Sequence, residues 1–313
     1  MIKAEHFIKG IASILFLIQF FILSHILHAQ HGGPFTPHGG GGFLSGTFHY
    51  QSFSELQLQN DSMEKSRLLR PINHMSFRFH AEYGPLDKLT LFVMLPIHIV
   101  STQKVYNTES DFLDTLKTGT LTGLGNLEAG VKYKFYHKKW VMAGSLHGEM
   151  KTGTYDNATG LRTANDAWGI VPMFHIGRSW KEKYYFFSDI GGCYRTDDYS
   201  GDWRIQVEGG AKFFNMVWVR AAIHSRRSFY NGSYEKANNL QTGLFLNNQE
   251  WLSLNARIEY QHKIGFGIQA GITGYFLGNN MPNTPVFYGG IYYKWNYDYA
   301  EDANYRIEKA VKP

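Results

Sequence analysis

Between residues 42 and 297 apolar side chains recur at every second position, in runs of about ten to fourteen residues. Period two gives a strand two chemically different faces. Leu124 to Phe135 is the clearest run: Leu127, Ala129, Val131, Tyr133 and Phe135 fall on one face, and Asn126, Glu128, Lys132 and Lys134 on the other. Ile72 to Tyr83 sets Met75, Phe77, Phe79, Ala81 and Tyr83 against His74, Arg78, His80 and Glu82. Trp203 to Phe213 sets Ile205, Val207, Ala211 and Phe213 against Arg204, Gln206, Glu208 and Lys212. Val219, Ala221 and Ile223 oppose Arg220, His224 and Arg226, and Leu254, Ala256, Ile258 and Tyr260 oppose Asn255, Arg257, Glu259 and Gln261.

Carried along the chain, this rule places strands near 42–51, 72–84, 86–100, 123–136, 140–152, 166–180, 184–196, 203–214, 217–230, 251–262, 264–277 and 285–297. That makes about twelve antiparallel strands, an even number that brings both termini to one side. Leu240 to Asn247 would break the parity and is assigned to an external loop, with fourteen strands as the alternative count. Connections alternate. Tight ones fall at 84–87, 137–139, 181–183, 215–216 and 262–263, and longer ones at 52–71, 101–122, 153–165, 231–250 and 278–284. Aromatics flank the tight turns: Tyr136, Trp140, Trp180, Tyr184, Phe213, Phe214 and Trp218 read as an interfacial girdle.

A soluble sandwich also alternates, but its strands are typically about five to six residues, whereas about nine to eleven are needed to cross a bilayer at a tilt. Strand length, girdle and turn asymmetry therefore predict an all-β chain: a single antiparallel transmembrane β-barrel of 12–14 strands. The apolar face then meets lipid and the polar face lines the lumen. Arg78, Glu82, Glu128, Lys132, Lys134 and Glu149 are candidate lumen residues from the first half of the barrel. Arg204, Glu208, Lys212, Arg220, Arg226, Arg257 and Glu259 are candidates from the second, and Lys151, Asp189 and Arg195 share their face. Charges at that density must pair or meet water, since an unpaired buried charge costs about several kcal/mol.

Composition agrees. The chain has 313 residues, with Gly 33, Tyr 20, Phe 23 and only Pro 9. Its mean hydropathy of −0.31 suits half-polar strands and not a bundle of apolar helices. A formal charge of +5, without a basic run, gives no reason to expect a nucleic-acid partner. The one cysteine, Cys193, excludes an intramolecular disulfide and a multi-cysteine metal framework.

Residues 1–29 read as a cleaved signal peptide: Lys3 and Lys9, an apolar stretch from Ile11 to Leu27, and Ala29 before the cut. Export places the chain in the outer membrane of a diderm bacterium, both termini periplasmic. Residues 30–41 form a flexible Gly/His leader that could fold into the lumen as a plug, 42–297 the barrel, and 298–313 a charged periplasmic tail. His31 and His38 in the leader are candidate metal ligands, with a solvated linker as the plainer reading.

No hydrolase elbow, phosphate loop or zinc-protease helix occurs, so neither enzyme activity nor a cofactor is expected. Ser145 and His147 share a strand face, but no acid is fixed beside them.

Gly123-Leu124-Gly125-Asn126-Leu127-Glu128-Ala129-Gly130-Val131-Lys132-Tyr133-Lys134-Phe135 resembles the outer-membrane transporter-like family named for the meta-pathway of phenol degradation. That family is distantly similar to long-chain fatty-acid and toluene channels. Asn126 stands where its members usually carry an acidic residue. The resemblance implies passive passage of small, often hydrophobic or aromatic solutes, and it carries over no site residues. The expected partners are thus outer-membrane lipid and a small-molecule solute. The alternatives are a non-conducting barrel that anchors another envelope protein, and a metal-capturing protein using the leader histidines.

Overall fold

The structure, a computed structural model, describes residues 33–57, 65–103, 117–181, 183–233 and 243–296. The expected signal peptide at 1–29, His31 and the expected tail at 298–313 lie outside the described residues.

The chain forms one antiparallel sheet closed on itself. Its strands are β1 (Gly41–Gln57), β2 (Lys65–Leu86), β3 (Leu89–Thr102), β4 (Gly119–Leu124), β5 (Leu127–His137), β6 (Val141–Met150) and β7 (Gly169–Trp180). They continue as β8 (Tyr184–Arg195), β9 (Asp202–Phe213), β10 (Val217–Ser228), β11 (Glu250–Gln261), β12 (Phe266–Asn279), β13 (Met281–Pro282) and β14 (Val286–Trp295). Fourteen segments make twelve barrel strands, because β4 and β5 both pair with β3 as pieces of one strand and β13 is a two-residue bridge to β1. Closure comes from β1, which pairs with β2 on one side and β14 on the other. Among the described residues no helix is long and apolar enough to cross a membrane.

The two faces separate as the alternation demands. Phe77, Phe79, Val131, Tyr133, Ile205 and Ile223 on the outer face are each more than a third exposed. Arg78, Lys132 and Glu208 between them are buried on the inner face. A continuous exposed apolar band is intolerable in water and expected against lipid. The tight turns gather at one end, where β1 also begins and β14 ends, since Gly41 pairs with Gly84 and Gly42 with Trp295. The longer connections gather at the other end.

Three sequence expectations give way. The loop expected at 52–71 is mostly strand: β1 and β2 run on together until Gln57 pairs with Lys65. The polar composition there conceals Phe53, Leu56, Leu68 and Ile72, which turn inward and bury in an apolar cluster at the mouth. Trp218 does not belong to the girdle. It lies on the inner face at 1% exposure, as its parity with Arg220 requires, whereas Tyr136, Trp140, Trp180, Tyr184, Phe213 and Phe214 are exposed outside. The strand at 123–136 is broken. Residues 125–127 face only Leu95 and Pro96, because Ile97 pairs with Leu124 and Met94 with Glu128.

Pro96 explains the break. It has no N–H for the ladder, and the extra residue on the facing chain makes a bulge. The bulge switches which parity faces inward, from Leu121 and Gly123 to Glu128 and Lys132. Gly125 fits here because its chain comes close to β3: its N–H donates to Pro96 O at 2.8 Å, and a Cβ would lie 2.5 Å from His98 Nε2. Segment 243–247 is loop, as expected of 240–247, but it dips into the mouth: Leu244 and Leu246 pack with Val100 and Leu161.

Candidate lumenal site

At the short-turn end the described part of the leader occupies the lumen. Gly33 to Pro37 are buried, in contrast to a solvated linker. Phe35 packs among Val141, Tyr185, Phe187 and Trp218, edge-on to Tyr185 at 6.2 Å and to Phe187 at 6.4 Å. Polar anchors fix the backbone on either side. The Gly33 N–H donates to the Asp189 carboxylate at 2.9 Å, and Lys132 Nζ donates to Gly33 O at 3.1 Å. Gly33 has φ +85°, and a Cβ there would come within 2.9 Å of the Phe187 ring. At the rim, the Gly39 N–H donates to Asp87 Oδ1 at 2.8 Å and His38 Nδ1 sits 3.5 Å from the same oxygen. His38 thus touches a carboxylate at the turn.

Asp189 is also the end of a relay. Ser145 Oγ lies 2.8 Å from His175 Nε2, and His175 Nδ1 lies 2.8 Å from Asp189 Oδ1. Sequence reasoning paired Ser145 with His147, one strand short. β7 supplies the histidine, and His147 faces Glu128 at 3.5 Å instead. The order of groups is that of a serine nucleophile, its base and its orienting acid. Yet Ser145 is flanked by Lys132 and Met173 in continuous ladders, and Asp189 is committed to Gly33. The relay joins three strands to the leader.

Two ion networks brace the wall on β6 and β8 to β11. Glu149 meets Arg195 at 3.1 Å and Arg204 at 2.5 Å, while Asp202 meets Arg195 at 2.5 Å, Arg204 at 2.7 Å and Arg226 at 2.5 Å. Closer to the short turns, Arg220 meets Glu259 at 2.7 Å and Glu208 at 3.6 Å, and Arg257 meets Glu259 at 2.9 Å and Glu208 at 3.4 Å. Tyr185 also donates to Glu208. Cys193 is buried beside Glu149, at 3.6 Å.

Between the leader and the mouth cluster lies a cavity of about 260 Å³. Of the residues expected in the lumen, Arg78, Glu128, Glu149, Arg204, Glu208, Arg226 and Arg257 line it. Glu82, Lys132, Lys134, Lys212, Arg220 and Glu259 lie nearer the short-turn end, on the same face. Lys151 reaches the long-loop rim, 3.1 Å from Asp166. The sequence reading missed the opposite wall, where Met94, Pro96 and His98 of β3 meet Leu244, Phe245, Met281 and Pro282. His74 Nε2 and His98 Nδ1 are 2.8 Å apart, with Phe245 edge-on to both rings. The cavity is therefore two-sided, charged on one wall and apolar with imidazoles on the other.

Over the mouth the loops interlock. Arg70 donates to Lys117 O at 3.1 Å and also to Thr159 O, Thr163 Oγ1 donates to Leu124 O at 2.6 Å, and the Ser200 N–H donates to Asn247 Oδ1 at 2.9 Å.

No family model matches the chain, and no curated protein does. Among solved structures, an outer-membrane channel from Pseudomonas putida F1 is similar at a TM-score of 0.62 and 13% identity, over 86% of this chain and 100% of that one. The Pseudomonas putida toluene transporter TodX has a TM-score of 0.44 and 10% identity over 82% and 90% of the two chains. The KdgM porin has a TM-score of 0.44 and 6% identity over 80% and 99%. The first likeness shows the fold, an outer-membrane-type barrel over 86% of this chain. These solved structures are outer-membrane channels, as the sequence resemblance implied, and none carries the phenol meta-pathway name.

Proposed function

We propose that the protein is an outer-membrane channel for small solutes, closed at rest by its own leader. The observation that supports this most is the polar-sided lumenal cavity, with the leader packed across the short-turn end of the barrel and an apolar loop cluster at its mouth. A barrel serving only as an anchor has no need to keep such a space; packing it shut would stabilise the wall. Short turns in such barrels face the periplasm, so the leader enters from that side and both termini are periplasmic. In this reading residues 1–29 are removed on export. Solute passage requires the leader to leave the lumen or shift within it, because Phe35 and its aromatic box fill the short-turn end.

Planar-bilayer recording of the full chain, beside a variant with the leader loosened by Phe35→Ala, tests the proposal. Rare openings in the first and frequent ones in the second are expected. Silence in both, from a folded barrel, would mean a non-conducting envelope component.

A further inference from the structure

Arg195, Arg204, Arg220, Arg226 and Arg257 each have a carboxylate within 4.0 Å. Arg78, on the cavity wall and only 7% exposed, has none among the described residues. Its one hydrogen bond there is from Nε to Ser76 Oγ at 3.2 Å, which steadies the guanidinium and leaves both terminal nitrogens free. Burying an unmatched cation is expensive, and the cost falls when an anion arrives. Glu128 is within electrostatic reach of Arg78 but is turned to His147.

Several further polar groups line the same cavity without a hydrogen bond among the described residues, Asn126 and Tyr275 among them. Asn126 Oδ1 is buried and unpaired, so the Asn126 amide has capacity to spare in either orientation. The Tyr275 hydroxyl is another, its ring set edge-on to Trp251 at 6.0 Å. Asn126 owes its place to the bulge opposite Pro96, and Pro96 is the partner of Arg78 in the next strand. The bulge thus brings a third chain segment level with the free guanidinium. Around these groups stand Met94, Pro96, Leu244, Phe245, Met281 and Pro282.

We propose that this cavity binds a small monocarboxylate with an apolar body, its carboxylate on Arg78 and its body against the β3 and loop wall. The planar guanidinium fork matches a carboxylate's two oxygens. Of the arginines lining the cavity, Arg78 alone has no carboxylate within 4.0 Å among the described residues, so its fork has room for one carboxylate group. The volume of about 260 Å³ holds a body of one ring or a short branched chain. The inference rests on the channel reading for its purpose but not for its test.

Equilibrium dialysis of the full-length protein in detergent, with benzoate against its neutral analogue benzamide, reads the charge preference directly. Benzoate is expected to bind at least about tenfold tighter. The preference should vanish in Arg78→Met, survive in part in Arg78→Lys, and fall several-fold in Tyr275→Phe, which spares the charge should Arg78→Met not fold. Equal binding of the two compounds, or a preference that persists in folded Arg78→Met, overturns the proposal. Binding in detergent does not require conduction. A barrel that conducts without discriminating refutes this inference alone, and one that discriminates without conducting refutes the channel alone.

Discussion

Phe35→Ala removes the one large apolar side chain with which the leader fills the short-turn end. Phe35 is 5% exposed, and its contacts are Val141, Tyr185, Phe187 and Trp218. Truncating a phenylalanine so packed costs about 3–5 kcal/mol, edge-on ring contacts included. Of the remaining anchors, the buried charge-assisted bonds of Gly33 to Asp189 and Lys132 contribute about 1.5–3 kcal/mol each, and the exposed bond of Gly39 to Asp87 about 1 kcal/mol. The Phe35 ring is therefore the largest single hold on the leader. At about 1.4 kcal/mol per decade, its loss shifts the docked-to-released ratio by roughly two to three and a half orders of magnitude. No strand pairing involves Phe35, so heat-modifiable migration on a gel should stay normal. The assay is single-channel recording, with open probability rising by at least about a hundredfold over the intact chain. If Phe35→Ala folds and is as quiet as the intact chain, and Asp189→Asn is equally quiet, the leader does not close this lumen.

Asp202→Ala leaves Arg195, Arg204 and Arg226 short of their shared carboxylate, a loss of about 3–5 kcal/mol, and the gel-shift temperature of the barrel should fall clearly. Hydrogen bonding by the Gly39 N–H holds the Asp87 carboxyl below its ordinary value of 3.8. Its hold on the leader is then full above pH 3.8, fades below it and is gone once pH passes the lowered value. Openings should therefore rise in strong acid, and Asp87→Asn should open more often than the intact chain at neutral pH and respond less to acid. Trp218, being lumenal, should escape quenching by brominated lipid in a variant where the other tryptophans are Phe, whereas Trp140 alone should be quenched. Gly125→Ala sets a methyl 2.5 Å from His98 Nε2 and 2.8 Å from Pro96 Cγ, and should cost about 1–3 kcal/mol in the same gel-shift melt.

The barrel was legible because its signal is repeated: Met75 to Tyr83, Leu127 to Phe135 and Val219 to Ile223 each alternate, and each lies where alternation put it. Where the strand is apolar on both faces the signal disappears. Leu89 to Val100 carries Phe92, Met94, Pro96 and Val100 inward and Leu91, Val93 and Leu95 between them, so nothing in the sequence marked Met94 and Pro96 as cavity wall. Trp218 was misread because its place beside a turn outweighed its parity with Arg220. Lumen charges could be assigned to a face, but not to partners. Which acid meets which arginine depends on the stagger between neighbouring strands, set by turn lengths and by the Pro96 bulge, and Arg78 stands out as unpaired only once the others are paired. The relay from Ser145 to Asp189 spans three strands for the same reason.

Tracer flux through proteoliposomes tests the central claim that solutes cross through this lumen. With Phe35→Ala protein inserted, labelled benzoate should leave the vesicles well above the rate of empty ones, and unlabelled benzoate should slow it. Vesicles as tight as empty ones, with the barrel verified as folded and inserted, would contradict the account.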